Sequence, residues 1–90
     1  EYTVPTALAN PGKISIDASG KIWFVEMAAS RIGVFYPDLK RFDEAIIPTA
    51  NSAPNALVHD NDGNIWFLEY RGNQVGYFNP KQAVFREFEI

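Results

Sequence analysis

An internal repeat constrains the fold of this chain more than any other feature. When the 90-residue sequence is aligned with itself at an offset of 43 positions, no gap is needed and 16 of the 44 compared positions are identical. The alignment places Gly20–Glu26 on Gly63–Glu69, so that the segment GKIWFVE corresponds to GNIWFLE. A period of roughly 20–50 residues is typical of propellers and solenoids, in which each repeat is one supersecondary unit.

Each repeat has the pattern of β-strands rather than of helices. In the first repeat, runs rich in β-branched and aromatic residues cover Lys13–Asp17, Lys21–Glu26, Arg31–Tyr36 and Arg41–Ile47. Prolines and turn-forming residues fall between these runs, and no segment keeps a 3.6-residue period long enough for a packed helix. We therefore predict an all-β fold with two four-stranded antiparallel sheets, each of them one blade of a β-propeller.

The alignment also predicts the organisation of residues 1–90 as a single propeller segment. Residues 5–47 are predicted to form blade 1, and residues 48–90 are predicted to form blade 2. Glu1–Val4 corresponds to Glu44–Ile47 and to Glu87–Ile90, so we interpret it as the remnant of a preceding outer strand. Because the first residue is Glu1 rather than Met, we expect a chain that was processed, cut from a longer one or engineered.

Two blades are too few to close a ring, since propellers have about four to eight. The open apolar faces of two blades predict partners, either copies of this chain or the missing blades of a parent chain. Closed rings arise from heterologous contacts, and we favour a homotrimer of six blades, with a homotetramer of eight next. In such a ring Glu1–Val4 and Glu87–Ile90 of different chains are candidates for the same outer position, and the longer C-terminal segment is expected to occupy it.

Composition excludes several classes of function. The net charge of −3 and the scattered basic residues argue against a nucleic-acid partner. No apolar run approaches the roughly 18 residues that span a membrane, so no membrane partner is expected. The absence of cysteine removes disulfides and thiolate metal sites and leaves the cellular compartment open.

The segment Asp60–Asn64 has the oxygen-rich composition of a cation loop, but its spacing does not fit one. An EF-hand loop needs glycine at position 6 and glutamate at position 12. Neither residue is at the required position in this segment. The first repeat keeps only Asp17 and Gly20 at equivalent positions. We therefore predict a hairpin turn in which the aspartate bonds the loop backbone and the glycine takes a positive φ, and we expect no metal site.

Glu69 and His59 are the candidate catalytic residues. Arg31 is predicted to lie across a hairpin from Glu26 and to form an ion pair with it, whereas Glu69 faces Gln74 and is the better candidate for a free base. His59 corresponds to Ile16, which favours a packed position between blades over a ligand in a channel. One carboxylate without a second acid, base or metal ligand is not a mechanism, so a structural role leads for both residues.

Aromatic residues recur at equivalent positions of both repeats. Strand alternation sends Trp and Phe of each Trp-Phe pair to opposite faces, which suits a blade that is packed on both sides. Tyr70 and Arg71 lie in a loop and are candidate contacts for a small-molecule ligand.

The motif of both repeats resembles that of a known family. It is Pro-x-x-Ile/Leu-x-x-Asp-x-x-Gly-x-Ile-Trp-Phe-x-Glu, followed by Arg31-Ile32-Gly33 or Gln74-Val75-Gly76 and then Phe-x-Pro. This pattern resembles the repeat of the streptogramin B lyases (the virginiamycin B lyase family) over essentially the whole chain. The resemblance implies a seven-bladed propeller that opens a cyclic depsipeptide antibiotic by elimination across its ester bond, with magnesium and a histidine–glutamate set at the channel mouth.

The chain departs from that pattern in two respects, because it has two blades and a single histidine, His59. We therefore expect a structural or ligand-binding unit that self-assembles into a complete propeller, without a cofactor. The alternative is a magnesium-dependent lyase, or a related propeller that cleaves esters or lactones, with Glu69 and His59 contributed by several chains. Magnesium is expected only in that case.

Overall fold

A computed structural model describes residues 2–5 and 11–90, so Glu1 and residues 6–10 of the predicted outer-strand remnant and blade 1 lie outside the described residues. The chain forms eight β-strands in two consecutive groups of four. Blade 1 contains β1 (Pro11–Ile16), β2 (Ile22–Glu26), β3 (Arg31–Tyr36) and β4 (Arg41–Ile46). Blade 2 contains β5 (Pro54–His59), β6 (Ile65–Glu69), β7 (Gln74–Asn79) and β8 (Val84–Glu89).

Both sheets are antiparallel meanders in which each strand pairs with the next one along the chain. This confirms the predicted all-β fold of two four-stranded propeller-type sheets. The strand bounds differ from the sequence prediction mainly at β1, which begins at Pro11 rather than Lys13. Pro11 still pairs with Glu26 of β2, beyond an irregularity between Pro11 and Ile14. In the part of the chain that the structure describes, no helix is long and apolar enough to cross a membrane.

The hairpins β1–β2 and β5–β6 are closed by the predicted turn. Gly20 and Gly63 have φ values of 86° and 81°, in the left-handed region that favours glycine. Oδ1 of Asp60 accepts the backbone N–H of Asp62 at 2.9 Å and of Asn64 at 3.0 Å. Asp17 accepts the equivalent backbone N–H groups in blade 1.

Each blade has two faces, which we name after the aromatic residue that lies on them. The Trp face of blade 1 contains Trp23, Val25, Ile32 and Val34, and that of blade 2 contains Trp66, Leu68, Val75 and Tyr77. The Phe face of blade 1 contains Ile14, Phe24, Glu26 and Phe35, and that of blade 2 contains Leu57, Phe67, Glu69 and Phe78. The predicted division of Trp and Phe between opposite faces therefore holds in both blades.

The hydrophobic core lies between the two blades. The Trp face of blade 1 packs against the Phe face of blade 2, where Trp23, Val25 and Ile32 meet Leu57, Ile65 and Phe67. The rings of Trp23 and Phe78 lie edge to face with centroids 6.4 Å apart, a favourable aromatic geometry. Burial of these large apolar side chains is the dominant force that holds the blades together.

Candidate functional site

The structure places Glu69 and His59 at opposite ends of one hairpin. In the antiparallel pairing of β5 with β6, Glu69 lies opposite Pro54, whereas His59 lies opposite Ile65. Pro54 and His59 are five residues apart along β5, which corresponds to about 16 Å at the rise of an extended strand. The two sequence-predicted catalytic residues are therefore not brought together within one chain.

His59 lies on the Phe face of blade 2 and contacts blade 1. A hydrogen bond of 2.6 Å joins its Nδ1 atom to Oγ of Ser15, which lies in β1. The side chain is half-buried at the junction of the two innermost strands. His59 also lines a cleft of about 360 Å³ between the β1–β2 and β5–β6 turns, together with Asp17, Lys21 and Asp60.

The carboxylate of Asp60 in that cleft is already engaged by its own hairpin. Its Oδ2 atom accepts the indole N–H of Trp66 at 3.0 Å, and its Oδ1 atom accepts two backbone N–H groups. The hydrogen bond from Trp66 is the main cause that lowers the pKa of Asp60. The oxygens that give Asp60–Asn64 the composition of a cation loop thus serve to build the turn.

Glu69 is buried on the Phe face of blade 2, with 1% of its surface exposed. Neither of its carboxyl oxygens, nor Oε2 of Glu87, receives a hydrogen bond from an N–H or a hydroxyl in the described part of the chain. Burial raises the pKa of Glu69 to about 8, and a hydrogen bond with Glu87 and the charge of that residue contribute further. Because two carboxylates have no hydrogen to donate, a hydrogen bond between them requires that one carries a proton.

Blade 1 contains the equivalent pair, Glu26 and Glu44. Glu26 is completely buried, and burial together with its contact to Glu44 raises its pKa to about 8. The predicted cross-strand position of Arg31 is correct, since it lies opposite Glu26. The predicted ion pair is wrong, because the guanidinium Nη1 lies 3.7 Å from Oε1 of Glu44 instead. A half-exposed Arg31 keeps its charge near water at the edge of the sheet, whereas Glu26 points into the interior.

The two carboxyl pairs were not predicted from the sequence. Glu44 and Glu87 recur at equivalent positions of the repeat, as do Gly33 and Gly76. Gly33 lies between Phe24 and Glu44 on adjacent strands, and a Cβ atom built there would lie 2.8 Å from Oε2 of Glu26. In both repeats a recurring glycine lies between two recurring glutamates in the sequence. This pattern was the signal from which a carboxyl pair across the middle strand could have been predicted.

Tyr70 and Arg71 lie in the loop between β6 and β7, as predicted, and both are exposed. Their backbone N–H groups donate to the carbonyl oxygens of Ala53 and Ser52, which fixes the loop against the segment that joins the blades. Arg71 lines a cleft of about 340 Å³ with Met27, Ala28, Asn51 and Ala53.

Comparison with known proteins connects this architecture to a family. The family described as "Virginiamycin B lyase family" matches residues 1–90. The chain belongs to the virginiamycin B lyase family. No curated protein gives a significant match.

Solved lyases have the same backbone over nearly the whole chain. Virginiamycin B lyase from Staphylococcus aureus matches with a TM-score of 0.90 and 32% identity over 99% of this chain. A catalytically inactive variant of that enzyme with quinupristin matches with a TM-score of 0.90 and 31% identity over 99% of this chain. A streptogramin B lyase structure gives a TM-score of 0.88 and 32% identity over 99% of this chain.

This member of the virginiamycin B lyase family spans about a third of its solved relatives. It covers 30% of each Staphylococcus aureus lyase chain and 29% of the streptogramin B lyase chain. The fold is shared more widely, since the extracellular domain of a putative hybrid two-component system from B. thetaiotaomicron matches 89% of this chain and 11% of its own, with a TM-score of 0.72 at 22% identity.

Proposed function

We propose that this chain is a two-blade unit that builds a complete propeller by head-to-tail association with copies of itself. The observation that carries the proposal is the unequal exposure of equivalent positions on the two blades. Val25 on the Trp face of blade 1 is completely buried, whereas its counterpart Leu68 on blade 2 is 44% exposed. Ile14 on the Phe face of blade 1 is 63% exposed, whereas its counterpart Leu57 on blade 2 is 7% exposed.

The Phe face of blade 1 is open at Ile14, whereas Phe24 and Phe35 on it are already buried. The exposed parts of the two surfaces are complementary because they repeat the interface inside the chain. The Trp face of blade 1 already packs on the Phe face of blade 2. A second copy that presents its Phe face to Leu68 and Trp66 makes the same type of contact once more. A shallow apolar groove of about 240 Å³ at this surface, which Trp66, Leu68 and Val75 help to line, offers room for its side chains.

The association is heterologous, so that it closes only when the rotation between copies completes a ring. Six blades from three copies are favoured, and eight blades from four copies come next, within the range of about four to eight blades that propellers use. In such a ring the loops that carry Tyr70 and Arg71 recur around one end of the channel. The proposal includes the binding of a small-molecule ligand at this end of the channel.

Sedimentation velocity at micromolar concentration tests the assembly. We expect a discrete trimer, and a folded monomer would overturn the proposal. Leu68→Lys should prevent assembly because it places a charge in the apolar contact. Leu39→Lys is the matched control, since Leu39 is 63% exposed but lies in the turn between β3 and β4 rather than on a blade face.

Mixing two variants tests the head-to-tail geometry. Leu68→Lys leaves the Phe face of blade 1 intact, and Ile14→Lys leaves the Trp face of blade 2 intact. An equimolar mixture should therefore form a heterodimer through the one remaining pair of surfaces and grow no further. If the mixture contains only monomers, the head-to-tail contact does not form. The exposed surfaces of both blades would then be explained by contacts with the missing blades of a longer chain.

Family membership makes a magnesium-dependent lyase the second candidate. The residues of this chain do not fit the metal, because the described part of the chain contains no group of three or more His, Asp or Glu side chains that could hold an ion. Glu69 is buried opposite Pro54, and His59 lies at the other end of β5. Rotation about a ring axis keeps each residue at its own level along the axis, so copies from other chains do not unite them.

The lyase candidate has a direct test. A streptogramin B substrate incubated with the assembled protein and magnesium should keep its ester bond, as followed by mass spectrometry. Loss of the ester that depends on both protein and magnesium would establish the lyase and overturn the assignment as a scaffold.

A further inference from the structure

The carboxyl pair of blade 2 is buried on the Phe face of that blade, where Glu69 is 1% exposed and Oε2 of Glu87 is buried. Glu69 lies at the end of β6 and Glu87 lies on β8, two strands away on the same Phe face. Gly76 lies between them on β7, paired with Phe67 on one side and with Glu87 on the other. Because glycine has no side chain, the two carboxyl groups can meet above the middle strand.

This pair has no other hydrogen-bond donor among the described residues. Both carboxyl oxygens of Glu69 and Oε2 of Glu87 are buried without an N–H or hydroxyl partner. The hydroxyl oxygen of Ser52, which is also completely buried, makes no hydrogen bond either. Two ionised carboxylates in such a place would repel each other and lack solvation, so one proton held between them is the stable arrangement.

We propose that Glu69 and Glu87 form a proton-dependent clasp that holds β6 and β8 of blade 2 together across β7 while the pair carries one proton, and that loosens the packing of blade 2 when that proton leaves. The reaction is a simple acid dissociation, in which the carboxyl O–H bond breaks and the proton passes to water or buffer. The clasp lies inside one chain, so it does not depend on assembly into a ring.

The surroundings of the pair favour retention of the proton. Burial, followed by the contact with Glu87, raises the pKa of Glu69 to about 8. On its own face of blade 2, the other titratable side chains are His59 at the far end of β5 and Glu89, which is exposed and lies opposite Gln74.

The facing blade adds no cation at the pair. Its Trp face presents apolar residues from β2 and β3. The half-buried Lys21 lies at the His59 end, 3.8 Å from Asp17, and the other charged side chains near that face are exposed: Lys13, Arg41 and Asp43. Arg41 and Asp43 are 3.2 Å from each other in an exposed ion pair. After burial, Glu87 is thus the charged group whose contact raises the pKa of Glu69.

Blade 1 provides a natural comparison. Its pair, Glu26 and Glu44, has Arg31 at 3.7 Å from Glu44, and the charge of Arg31 acts to lower the pKa of Glu26. The equivalent residue in blade 2 is Gln74, whose Oε1 accepts a hydrogen bond from Thr49 at 3.3 Å. Loss of the proton is therefore partly compensated in blade 1 and uncompensated in blade 2.

The direction of the pH effect follows from proton linkage. In the unfolded chain Glu69 ionises near 4.5, whereas in the folded chain it does so near 8. Between these values the folded state holds one proton more than the unfolded state, so the unfolding equilibrium constant increases as pH rises. For one proton the increase is about tenfold per pH unit.

Glu69→Gln is the central variant, because its amide can donate to Glu87 and so imitates the protonated acid at every pH. Its unfolding constant should match that of the wild type near pH 5. From there to pH 8 the ratio of wild-type to variant unfolding constants should grow by about tenfold per pH unit. Urea unfolding at a fixed protein concentration, with the oligomeric state determined at each pH, gives the comparison.

Two further variants make the test specific. Gln74→Arg places in blade 2 the cation that blade 1 has, and it should reduce the pH dependence of unfolding. Glu89→Gln, a change of an exposed carboxylate on the same strand as Glu87, should leave that dependence unchanged. Equal pH slopes for wild type and Glu69→Gln, or an equal loss of slope in Glu89→Gln, would overturn the clasp.

Nuclear magnetic resonance of the glutamate δ carbons supplies a measurement that does not depend on a variant folding. The carboxyl signal of Glu69 in the wild-type chain should titrate well above its ordinary range. Titration near 4.5, the ordinary value for this side chain, would contradict the proposal.

Discussion

Trp66 donates its indole N–H to Oδ2 of Asp60 at 3.0 Å, and Trp23 donates in the same way to Asp17 at 2.9 Å. Each aspartate thereby joins a hairpin turn to the aromatic residue that begins the packed part of the next strand. The Asp and Trp of the repeat motif are thus one structural unit, in which the polar end of a large core residue is satisfied by the turn.

Asp17→Ala should destabilise blade 1. It removes the acceptor for the indole of Trp23, for the backbone N–H of Lys21 and for both donors of Ser19. Hydrogen bonds to a charged group contribute about 1.5–3 kcal/mol, so we expect the free energy of unfolding to fall by about 2 kcal/mol. Urea denaturation measures the change, and Asp38→Ala in the exposed β3–β4 turn is the control. An equal loss in both variants would show that the acceptor role is unimportant.

The pH dependence of stability should have its maximum on the acidic side. Burial acts to raise the pKa of Asp17, but the hydrogen bonds from Trp23, Ser19 and Lys21 outweigh it and lower the pKa below 3.8. A lowered pKa gives stability that is present above 3.8 and is lost as pH falls through the folded value. The raised pKa values of Glu26 and Glu69 act oppositely and reduce stability from pH 4.5 up to about 8.

We therefore expect the melting temperature to peak at about pH 4–5 and to fall on both sides of that range. A scan of melting temperature in buffers of matched ionic strength measures the profile. A broad maximum at pH 7–8 would show that the buried glutamates do not hold their protons in the folded chain.

Gly76→Ala should disrupt the packing of blade 2. A Cβ atom at Gly76 would overlap the ring of Phe67, which lies across the middle strand. Overpacking of a core costs about 1–3 kcal/mol, and we expect a loss at the upper end of that range. Gly72→Ala is the matched control, because its Cβ would meet the movable end of Gln74 at 3.3 Å. Recovery of stability in the double variant Gly76→Ala with Phe67→Leu would identify the ring as the cause.

The hydrogen bond between Ser15 and His59 should couple the two blades. A double-mutant cycle of Ser15→Ala and His59→Ala should give an interaction energy of about 1 kcal/mol, the typical net contribution of one hydrogen bond. Chemical denaturation of the four proteins measures it. Additive effects of the two changes would mean that the 2.6 Å contact contributes nothing to stability.

Ala83→Gly should stabilise the chain. Ala83 is exposed in the β7–β8 turn at a φ of 55°. The left-handed conformation costs a residue with a side chain roughly 1–2 kcal/mol, and the greater flexibility of unfolded glycine offsets about 0.5–1 kcal/mol of that gain. A net increase of about 0.5–1 kcal/mol is expected. Ala18→Gly, in a turn without positive φ, should instead lower stability.

The sequence alone determined the blade, because the 43-residue repeat, the strand alternation and the Asp–Gly turns are local properties of the chain. It located Glu26 opposite Arg31 correctly, since antiparallel register follows from the hairpin between them. It also placed Trp23 and Phe24 on opposite faces, because the side-chain period of a strand is two.

Only the tertiary structure decided how the charges are arranged. Arg31 pairs with Glu44 rather than Glu26, and burial together with contact to a carboxyl group two strands away raises the pKa of Glu26 and of Glu69 to about 8. The positions that meet there are separated by a full hairpin, and their ionisation depends on burial in the packed molecule. Burial and three-strand contacts are properties of the packed molecule, and for this reason the pattern of residues along the chain did not reveal them.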